Sequence, residues 1–239
     1  PMNHRYPVIL LDADDTLLDF DRAETTAVSG TLARAGLDPT PAILARYKEI
    51  NRQSWEALER GECQKDEMLW RRFETLFREN GLDFDPREAN RDYRARLSRC
   101  AFVLPGALEL CRELKAEGRA LFILTNGAPP VQRSRLALSG LMPLLDGVVI
   151  SEEVGAEKPH PAFFAAAERV IAPFAAGDCV MLGDSQTSDM PGARAWGART
   201  VWFDPKNKPQ TGPWDARITA LDQFPAALNA LEQEECTHD

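Results

Sequence analysis

Short apolar runs alternate with longer amphipathic stretches over most of this chain. The runs, which predict buried strands, are Val8–Leu11, Ala120–Leu124, Gly147–Ile150, Cys179–Leu182 and Val201–Phe203. Helical periodicity predicts helices near residues 106–117, 130–139, 160–171 and 189–196. Strands that alternate with helices in this way are joined by right-handed crossovers, so the sequence predicts an α/β fold with a Rossmann-like parallel β-sheet flanked by helices.

The stretch from residue 19 to residue 99 has a different pattern, with helical periodicity and no strand-like alternation. Glycines mark helix ends, and an N-cap residue followed by proline marks helix starts. These signals are Gly36, Gly61, Gly81, Thr40–Pro41 and Asp85–Pro86. One apolar stripe comprises Ile43, Leu44, Tyr47, Ile50 and Leu58, and another comprises Leu69, Phe73, Leu76 and Phe77. We therefore expect a four-helix insert at 19–99 and an α/β core formed by 1–18 and 100–239.

Acidic residues crowd the end of the first predicted strand. Asp12, Asp14 and Asp15 follow Leu11 within four positions. Like charges this close repel one another, so a cation or a proton has to compensate them. Oxygen ligands with room for water and phosphate favour Mg²⁺, although an acidic surface turn is an alternative interpretation.

Polar residues also follow the next three predicted strands. The segment Thr125–Gly127 offers a hydroxyl, an amide and an unobstructed backbone to an anion. Lys158 follows the third strand, and Asp184 follows the fourth, with Asp189 further along. Because the carboxyl ends of parallel strands form one edge of a sheet, we expect these residues to converge there.

In this order, the motifs resemble those of the haloacid dehalogenase-like (HAD) hydrolases. The resemblance rests on the Asp-x-Asp-x-Thr-Leu segment at 12–17, Thr125, Lys158 before a proline, and the Gly183–Asp189 segment. Residues 12–17, 104–107, 125–127 and 149–155 further resemble the house-cleaning pyrimidine 5'-nucleotidases of bacteria. The resemblance implies a HAD-like fold in which the helical insert is a cap domain.

The chemistry of phosphoryl transfer and the resemblance assign the same roles to the acids. Asp12, nearest the strand, is the expected nucleophile and would form an aspartyl-phosphate. Asp14 is the expected general acid and base, since two residues along an extended backbone return a side chain to the same side. The expected Mg²⁺ ligands are the Asp12 carboxylate, the Asp14 backbone carbonyl and Asp184. Asp189 is a further candidate, either through a bridging water or as a helix cap.

Three further residues are expected to bind the phosphate oxygens. They are Thr125, Asn126 and Lys158, of which Thr125 and Lys158 are also predicted to be catalytic because they would stabilise developing negative charge. A solvated surface lysine is the alternative for Lys158. We expect a structural role for His160 and allow a turn role for Asp15.

Composition limits the class of partner. The net charge of -9 and the lack of a Lys/Arg-rich run argue against a nucleic acid polymer. No apolar run has the length of a membrane span or of a signal peptide, so we expect no membrane partner and a cytoplasmic location. Five cysteines without a CxxC spacing agree with a reducing compartment. The expected partner is a small phosphomonoester, and both a monomer and a homodimer stay open.

The expected function is Mg²⁺-dependent hydrolysis of a phosphomonoester, and the resemblance suggests pyrimidine nucleoside 5'-monophosphates as substrates. A phosphatase for a sugar phosphate or phosphoglycolate would use the same residues. A haloacid dehalogenase would share the nucleophile but would need neither the second acid nor a metal. A phosphomutase stays open, whereas a receiver-like phosphoacceptor would be about half this length.

Two tryptophans in the insert are candidates for substrate selection. Trp55 and Trp70 would stack on a nucleobase, with Arg52 or Gln53 at its polar edge. The favoured alternative is that both tryptophans fill the core of the helical bundle.

Overall fold

The structure, a computed structural model, describes residues 4–236. The chain divides into two compact units. The α/β unit comprises the described parts of Pro1–Phe20 and Ala101–Asp239, and the helical unit comprises Asp21–Cys100.

A six-stranded parallel sheet forms the centre of the α/β unit within the described residues. Its strands are β1 (Val8–Leu11), β2 (Ala120–Thr125), β3 (Gly147–Ile150), β4 (Cys179–Gly183), β5 (Arg199–Phe203) and β6 (Ala216–Ile218). They are ordered β3-β2-β1-β4-β5-β6, and all neighbouring pairs are parallel. The predicted Rossmann-like parallel sheet is therefore confirmed, with β1 between β2, which ends at Thr125, and β4, which directly precedes Asp184.

The continuous apolar runs reflect a sheet that is covered on both faces. In β1, Ile9 and Leu11 belong to one core cluster, while Val8 and Leu10 belong to another. All four side chains are fully buried. Alternate residues of a strand point to opposite faces, so a strand buried on both faces has no polar positions.

Helices of the α/β unit pack on both faces of this sheet. They are α5 (Ala107–Ala116), α6 (Pro129–Leu138), α7 (Ser151–Val154), α8 (Pro161–Ile171), α9 (Asp189–Trp196) and α10 (Phe224–Cys236). Residues of α5 and α10 join the cluster of Ile9, and residues of α8 and α9 join the cluster of Val8. The four predicted helices of this unit are present within one residue of their expected bounds. The sequence pattern missed β6, α7 and α10.

The helical unit contains the larger part of α1 and three further helices. The bounds are α1 (Phe20–Ala35), α2 (Pro41–Glu59), α3 (Lys65–Glu79) and α4 (Pro86–Leu97). Two helices start at the predicted caps, where Thr40 accepts a hydrogen bond from the N–H of Ile43 and Asp85 from that of Arg87. The α3 stripe is buried throughout, whereas only Tyr47 and Ile50 of the α2 stripe are buried.

A chain of polar side chains crosses the core of the helical unit. Asn51 donates to Glu24 (2.6 Å) and accepts from Arg72 (2.6 Å), and all three are almost fully buried. The guanidinium of Arg72 lies 4.8 Å from the ring centroid of Tyr93 and 5.6 Å from that of Phe73. Buried polar groups satisfied in this way favour one packing arrangement of the helices.

A second polar group of the helical unit is centred on Asp92. Its carboxylate accepts hydrogen bonds from Thr31 (2.8 Å), Arg34 (3.1 Å) and Arg96 (2.6 Å). Burial raises the pKa of Asp92, but these bonds and the positive charge of Arg96 outweigh it, so the pKa lies below its ordinary value of 3.8.

No helix among residues 4–236 combines the length and the apolar character needed to cross a membrane.

Candidate active site

Strand β1 delivers Asp12 to the carboxyl edge of the sheet in a buried position. Asp12 is the first residue after the strand, and its N–H extends the ladder by donating to the carbonyl of Leu182 (2.9 Å). The hydroxyl of Thr16 donates to Oδ2 of Asp12 (3.2 Å). Asp15 has a positive φ of 58° and accepts the N–H of Phe20, so it is a turn residue, as the sequence allowed.

Lys158 joins two of the predicted site acids. Its Nζ donates to Oδ1 of Asp12 (2.6 Å), to Oδ1 of Asp189 (2.7 Å) and to the carbonyl of Leu124 (2.6 Å). An ammonium has three N–H donors, so all of them are used. The side chain is only 2% exposed, which rules out the surface-lysine alternative.

Asn126 fixes the backbone of Lys158. Its side-chain oxygen accepts the N–H of Lys158 (2.8 Å), and its side-chain nitrogen donates to the carbonyl of Lys158 (3.0 Å). Both polar groups of the Asn126 side chain therefore have partners in the protein. The phosphate contact predicted at Asn126 is one of the backbone, so these side-chain contacts leave that prediction as it stands.

Thr125 ends β2 with a buried hydroxyl. The side-chain nitrogen of Gln132 donates to Oγ1 of Thr125 (2.7 Å). A hydroxyl that accepts at its oxygen keeps its own proton to donate, so Thr125 can still bind a phosphate oxygen. Gly127 is needed beside it, because a Cβ at this position would lie 2.9 Å from Cγ of Gln132.

Asp184 and Asp189 lie on the other side of β1, after β4. The indole of Trp202 donates to the backbone carbonyl of Asp184 (3.0 Å), and Lys208 donates to its Oδ2 (3.1 Å). Asp189 is the first residue of α9, and its Oδ2 accepts the N–H of Ser185 (3.0 Å). Each of the two carboxylates therefore accepts a hydrogen bond that helps to fix its orientation, from Lys208 at Asp184 and from Ser185 at Asp189.

Three of these acids form a group that fits a hard divalent cation. Asp12, Asp184 and Asp189 each present a carboxylate oxygen, and the three oxygens lie within 4.8 Å of one another. Burial raises the pKa of Asp12 well above its ordinary value; Lys158 lowers it, while Asp189 and Asp184 raise it further. Burial, followed by the charge of Asp189, raises the pKa of Asp184 to about 6. Burial and the mutual repulsion of the carboxylates both disfavour their charged forms, and a bound cation would relieve both effects.

The carboxylate of Asp14 is not part of this group and instead contacts α6. Its Oδ1 binds Arg135, and its Oδ2 accepts from the side-chain nitrogen of Gln132 (3.0 Å). The metal ligand predicted for Asp14 is its backbone carbonyl, so this side-chain position leaves that prediction as it stands.

Lys158 contacts both Asp12 and Asp189, in agreement with the convergence expected from the sequence. It also shows four polar contacts that sequence reasoning missed. They come from Thr16, Gln132, Arg135 and Lys208. Thr16 is part of the first motif, and the spacing of Gln132 and Arg135 places them on one side of α6. Lys208 lies in a segment that reads as a surface loop.

The two tryptophans of the helical unit are both half-buried, so neither is fully enclosed in the bundle core that the favoured interpretation assigns to them. The guanidinium of Arg87 lies 4.1 Å from the ring centroid of Trp70. The ammonium of Lys65 lies 5.5 Å from that of Trp55. Each ring therefore already carries a cation near its face.

The other two substrate-selection candidates, Arg52 and Gln53, are exposed. Both donate to Glu49, and Arg52 also binds Glu56. Exposed ion pairs of this kind exchange readily with solvent, so these contacts do not prevent either side chain from reaching a ligand.

A parallel sheet flanked by helices, with three aspartate carboxylates and a buried lysine at its carboxyl edge, defines the class of α/β proteins whose site is built around aspartates. The profile of the haloacid dehalogenase-like hydrolases matches residues 6–197, and the chain belongs to this family.

Curated relatives cover most of the chain. The putative HAD-hydrolase YfnB of Bacillus subtilis is 35% identical over 205 residues, which are 86% of this chain and 87% of that protein. The pyrimidine 5'-nucleotidase PynA of Streptococcus pneumoniae is 34% identical over 200 residues, 84% of each protein. The pyrimidine 5'-nucleotidase YjjG of Escherichia coli is 29% identical over 234 residues, 96% of this chain and 98% of that protein.

The fold is also similar to a crystal structure of YfnB bound to magnesium. The TM-score is 0.90 at 33% identity, over 94% of this chain and 99% of that chain.

Proposed function

We propose that this protein is a Mg²⁺-dependent phosphomonoesterase that acts through an aspartyl-phosphate on Asp12, with pyrimidine nucleoside 5'-monophosphates as substrates. The observation that carries the proposal is the position of Asp12. Its carboxylate lies at the sheet edge within 2.6 Å of a buried ammonium, Lys158, and beside two further carboxylates. A nucleophile next to a fixed cation and a group of oxygen ligands suits an anionic electrophile such as a phosphate ester.

The three-carboxylate group supports the choice of Mg²⁺. Asp12, Asp184 and the backbone carbonyl of Asp14 would hold the ion, and Asp189 would contact it directly or through water. When bound, Mg²⁺ neutralises phosphate charge and orients the phosphate toward the nucleophile. The YfnB structure bound to magnesium supports the same choice.

In the first half-reaction, an oxygen of Asp12 attacks phosphorus in line with the leaving oxygen. The new bond joins the carboxylate to phosphorus, and the bond from phosphorus to the leaving oxygen breaks. Asp14 supplies the proton that the leaving alkoxide needs. Thr125 donates its hydroxyl proton to a phosphate oxygen, and Lys158 holds Asp12 in position and stabilises the charge that develops nearby.

In the second half-reaction, water attacks the phosphorus of the aspartyl-phosphate. Asp14, now deprotonated, accepts the proton of this water. The bond from phosphorus to Asp12 breaks, which regenerates the carboxylate and releases inorganic phosphate.

The substrate part of the proposal rests on two relatives, PynA and YjjG, both of which are pyrimidine 5'-nucleotidases. Half-buried aromatic rings suit a nucleobase because every base offers a face for stacking. In the helical unit, Trp55 and Trp70 have this exposure. Sugar phosphates and phosphoglycolate are the competing substrates.

Phosphate release from a panel of esters tests the proposal. The panel contains UMP, dTMP, AMP, a hexose phosphate, phosphoglycolate and p-nitrophenyl phosphate, each with Mg²⁺ and with EDTA. We expect Mg²⁺-dependent release that is fastest with UMP or dTMP. Asp12→Asn should abolish release, because an amide cannot form the acyl phosphate. Asp38→Asn, a change at an exposed position, is the matched control.

The outcomes separate the parts of the proposal. Release that favours a sugar phosphate contradicts the substrate but supports the chemistry. Release that is unchanged in EDTA contradicts the role of the metal. Halide release from a 2-haloacid in EDTA, without phosphate release from any ester, would support a dehalogenase instead.

A further inference from the structure

We propose that Gln132 and Arg135 are positioning residues that hold the carboxylate of Asp14 in place for proton transfer to the leaving oxygen. This inference rests on the proposed phosphatase function, but it concerns two residues to which the four predicted motifs assign no role. Both lie on α6, three positions apart, and therefore on the same side of the helix.

The contacts show that both oxygens of Asp14 are held. Oδ1 binds Nη1 of Arg135, and Oδ2 accepts from Nε2 of Gln132 (3.0 Å). Each carboxylate oxygen can accept more than one hydrogen bond, so Asp14 keeps capacity for a proton while it is held. A carboxylate with two fixed donors has far less rotational freedom than one that is bound only by water.

The two donors are themselves fixed. Arg135 is fully buried and Gln132 is 2% exposed, whereas the side chain of Asp14 is 26% exposed. Nη1 of Arg135 also donates to Oε1 of Gln132 (3.1 Å), and the guanidinium lies 5.7 Å from the ring centroid of Phe20. Because Oε1 faces a donor and Nε2 faces an acceptor, these contacts determine the orientation of the Gln132 amide.

Gln132 also connects the acid to the phosphate-binding side. Its Nε2 donates to Oγ1 of Thr125 (2.7 Å) as well as to Asp14. Gly127 permits this approach, since a Cβ there would lie 2.9 Å from Cγ of Gln132. One amide thus sets the distance between the proton donor and the hydroxyl expected to bind the transferring phosphate.

A positioning role predicts a specific kinetic pattern, which depends on the leaving group. Phenolate is a strong base and leaves slowly without a proton, whereas p-nitrophenolate is a weak base that needs little help. The value of kcat/KM covers only the steps up to departure of the leaving group. It therefore reports the acid function of Asp14 and is unaffected by its later function as a base.

The experiment compares kcat/KM for phenyl phosphate and p-nitrophenyl phosphate, with saturating Mg²⁺, in wild type and variants. The variants are Gln132→Leu, Arg135→Met, Arg135→Lys and Asp14→Asn, and the control is Arg133→Met. Arg133 lies on the same helix, is 49% exposed and binds Glu153. General acid catalysis contributes roughly 10²–10⁴-fold to rate. We expect Gln132→Leu and Arg135→Met to lose at least about tenfold more activity on phenyl phosphate than on the nitrophenyl ester.

The design stays informative if a variant is partly unfolded. The ratio of the two kcat/KM values, measured on one preparation, is independent of the fraction of active enzyme. If the Arg135→Met protein cannot be obtained, Gln132→Leu carries the test alone. Arg135→Lys retains a cation beside Asp14, so it should recover part of the ratio, and Asp14→Asn should show the largest change.

Two results would overturn the inference in distinguishable ways. If wild type hydrolyses both esters and the variants lose the same factor on each, Gln132 and Arg135 support only the structure, and the proposed function stands. If wild type releases phosphate with Mg²⁺ neither from these two esters nor from UMP and dTMP, the proposed function fails and the inference fails with it.

Discussion

The replacement of Lys158 by methionine tests the electrostatic balance of the site. Methionine keeps a long unbranched side chain but removes the ammonium that binds Asp12 at 2.6 Å and Asp189 at 2.7 Å. Each contact corresponds to about 6 kcal/mol of Coulomb attraction at an effective dielectric constant of about 20. Desolvation of the buried charges offsets much of this attraction. Loss of one partner of a buried ion pair nevertheless costs about 3–5 kcal/mol, because the other charge is left buried and uncompensated.

We expect the free energy of unfolding in EDTA to fall by about 3–5 kcal/mol in Lys158→Met. For a chain of this size, the melting temperature would fall by roughly 6–20 °C. Mg²⁺ should restore part of the loss, because a cation bound by the same carboxylates replaces the missing positive charge. Urea unfolding and calorimetry, each with EDTA and with Mg²⁺, measure both effects.

Lys206→Met is the matched control, because Lys206 is an exposed lysine of the same unit. A surface charge of this kind contributes about 0–1 kcal/mol. If Lys158→Met and Lys206→Met were equally stable in EDTA, the ammonium of Lys158 would not be balancing the site carboxylates. The reasoning on the site charge would then be refuted.

Three further predictions concern the site carboxylates and the helical unit. Gly183→Ala would place a Cβ 2.3 Å from Oδ2 of Asp189, so the Asp189 side chain would have to move. We expect kcat on p-nitrophenyl phosphate to fall about 10²-fold while the circular dichroism spectrum is unchanged. An unchanged kcat would contradict this prediction. Mg²⁺ at 100 times its Kd should stabilise wild type by about 2.7 kcal/mol, and Asp184→Asn should largely remove this gain in thermal unfolding. Asp92→Asn should cost roughly 1–2 kcal/mol at pH 7 relative to Asp38→Asn. The pKa of Asp92 is lower in the folded state than in the unfolded state, so the Asp92 carboxylate stabilises the fold at pH values above the unfolded-state pKa. This stabilisation is lost as the pH falls through the folded-state pKa. The Asp92→Asn and Asp38→Asn variants should therefore become equally stable in acid.

The sheet and the acidic residues at its edge could be predicted because local sequence determines both. A strand that is covered on both faces is apolar throughout, so the strand ends are visible where polar residues resume. Asp12 follows Leu11 directly, and Thr125 ends β2. Parallel topology then places these ends at one edge without any information on side-chain contacts.

The contacts of Asp14 could not be predicted in this way. Gln132 and Arg135 have the spacing of ordinary polar positions on an amphipathic helix, and the sequence does not show that both are buried. Their burial depends on how α6 packs beside β2, which is a long-range property. Lys208 was missed for a related reason, since its loop has no periodicity and its contact with Asp184 joins residues 24 positions apart.

The position of β1 in the centre of the sheet also has a consequence for synthesis of the chain. The two strands that pair with β1 begin at Ala120 and Cys179, so β1 leaves the ribosome long before either neighbour exists. Until then its four apolar side chains and both of its edges are open to other chains. Any product truncated before Cys179 would keep one edge of β1 unpaired, and we expect such fragments to aggregate or to bind chaperones.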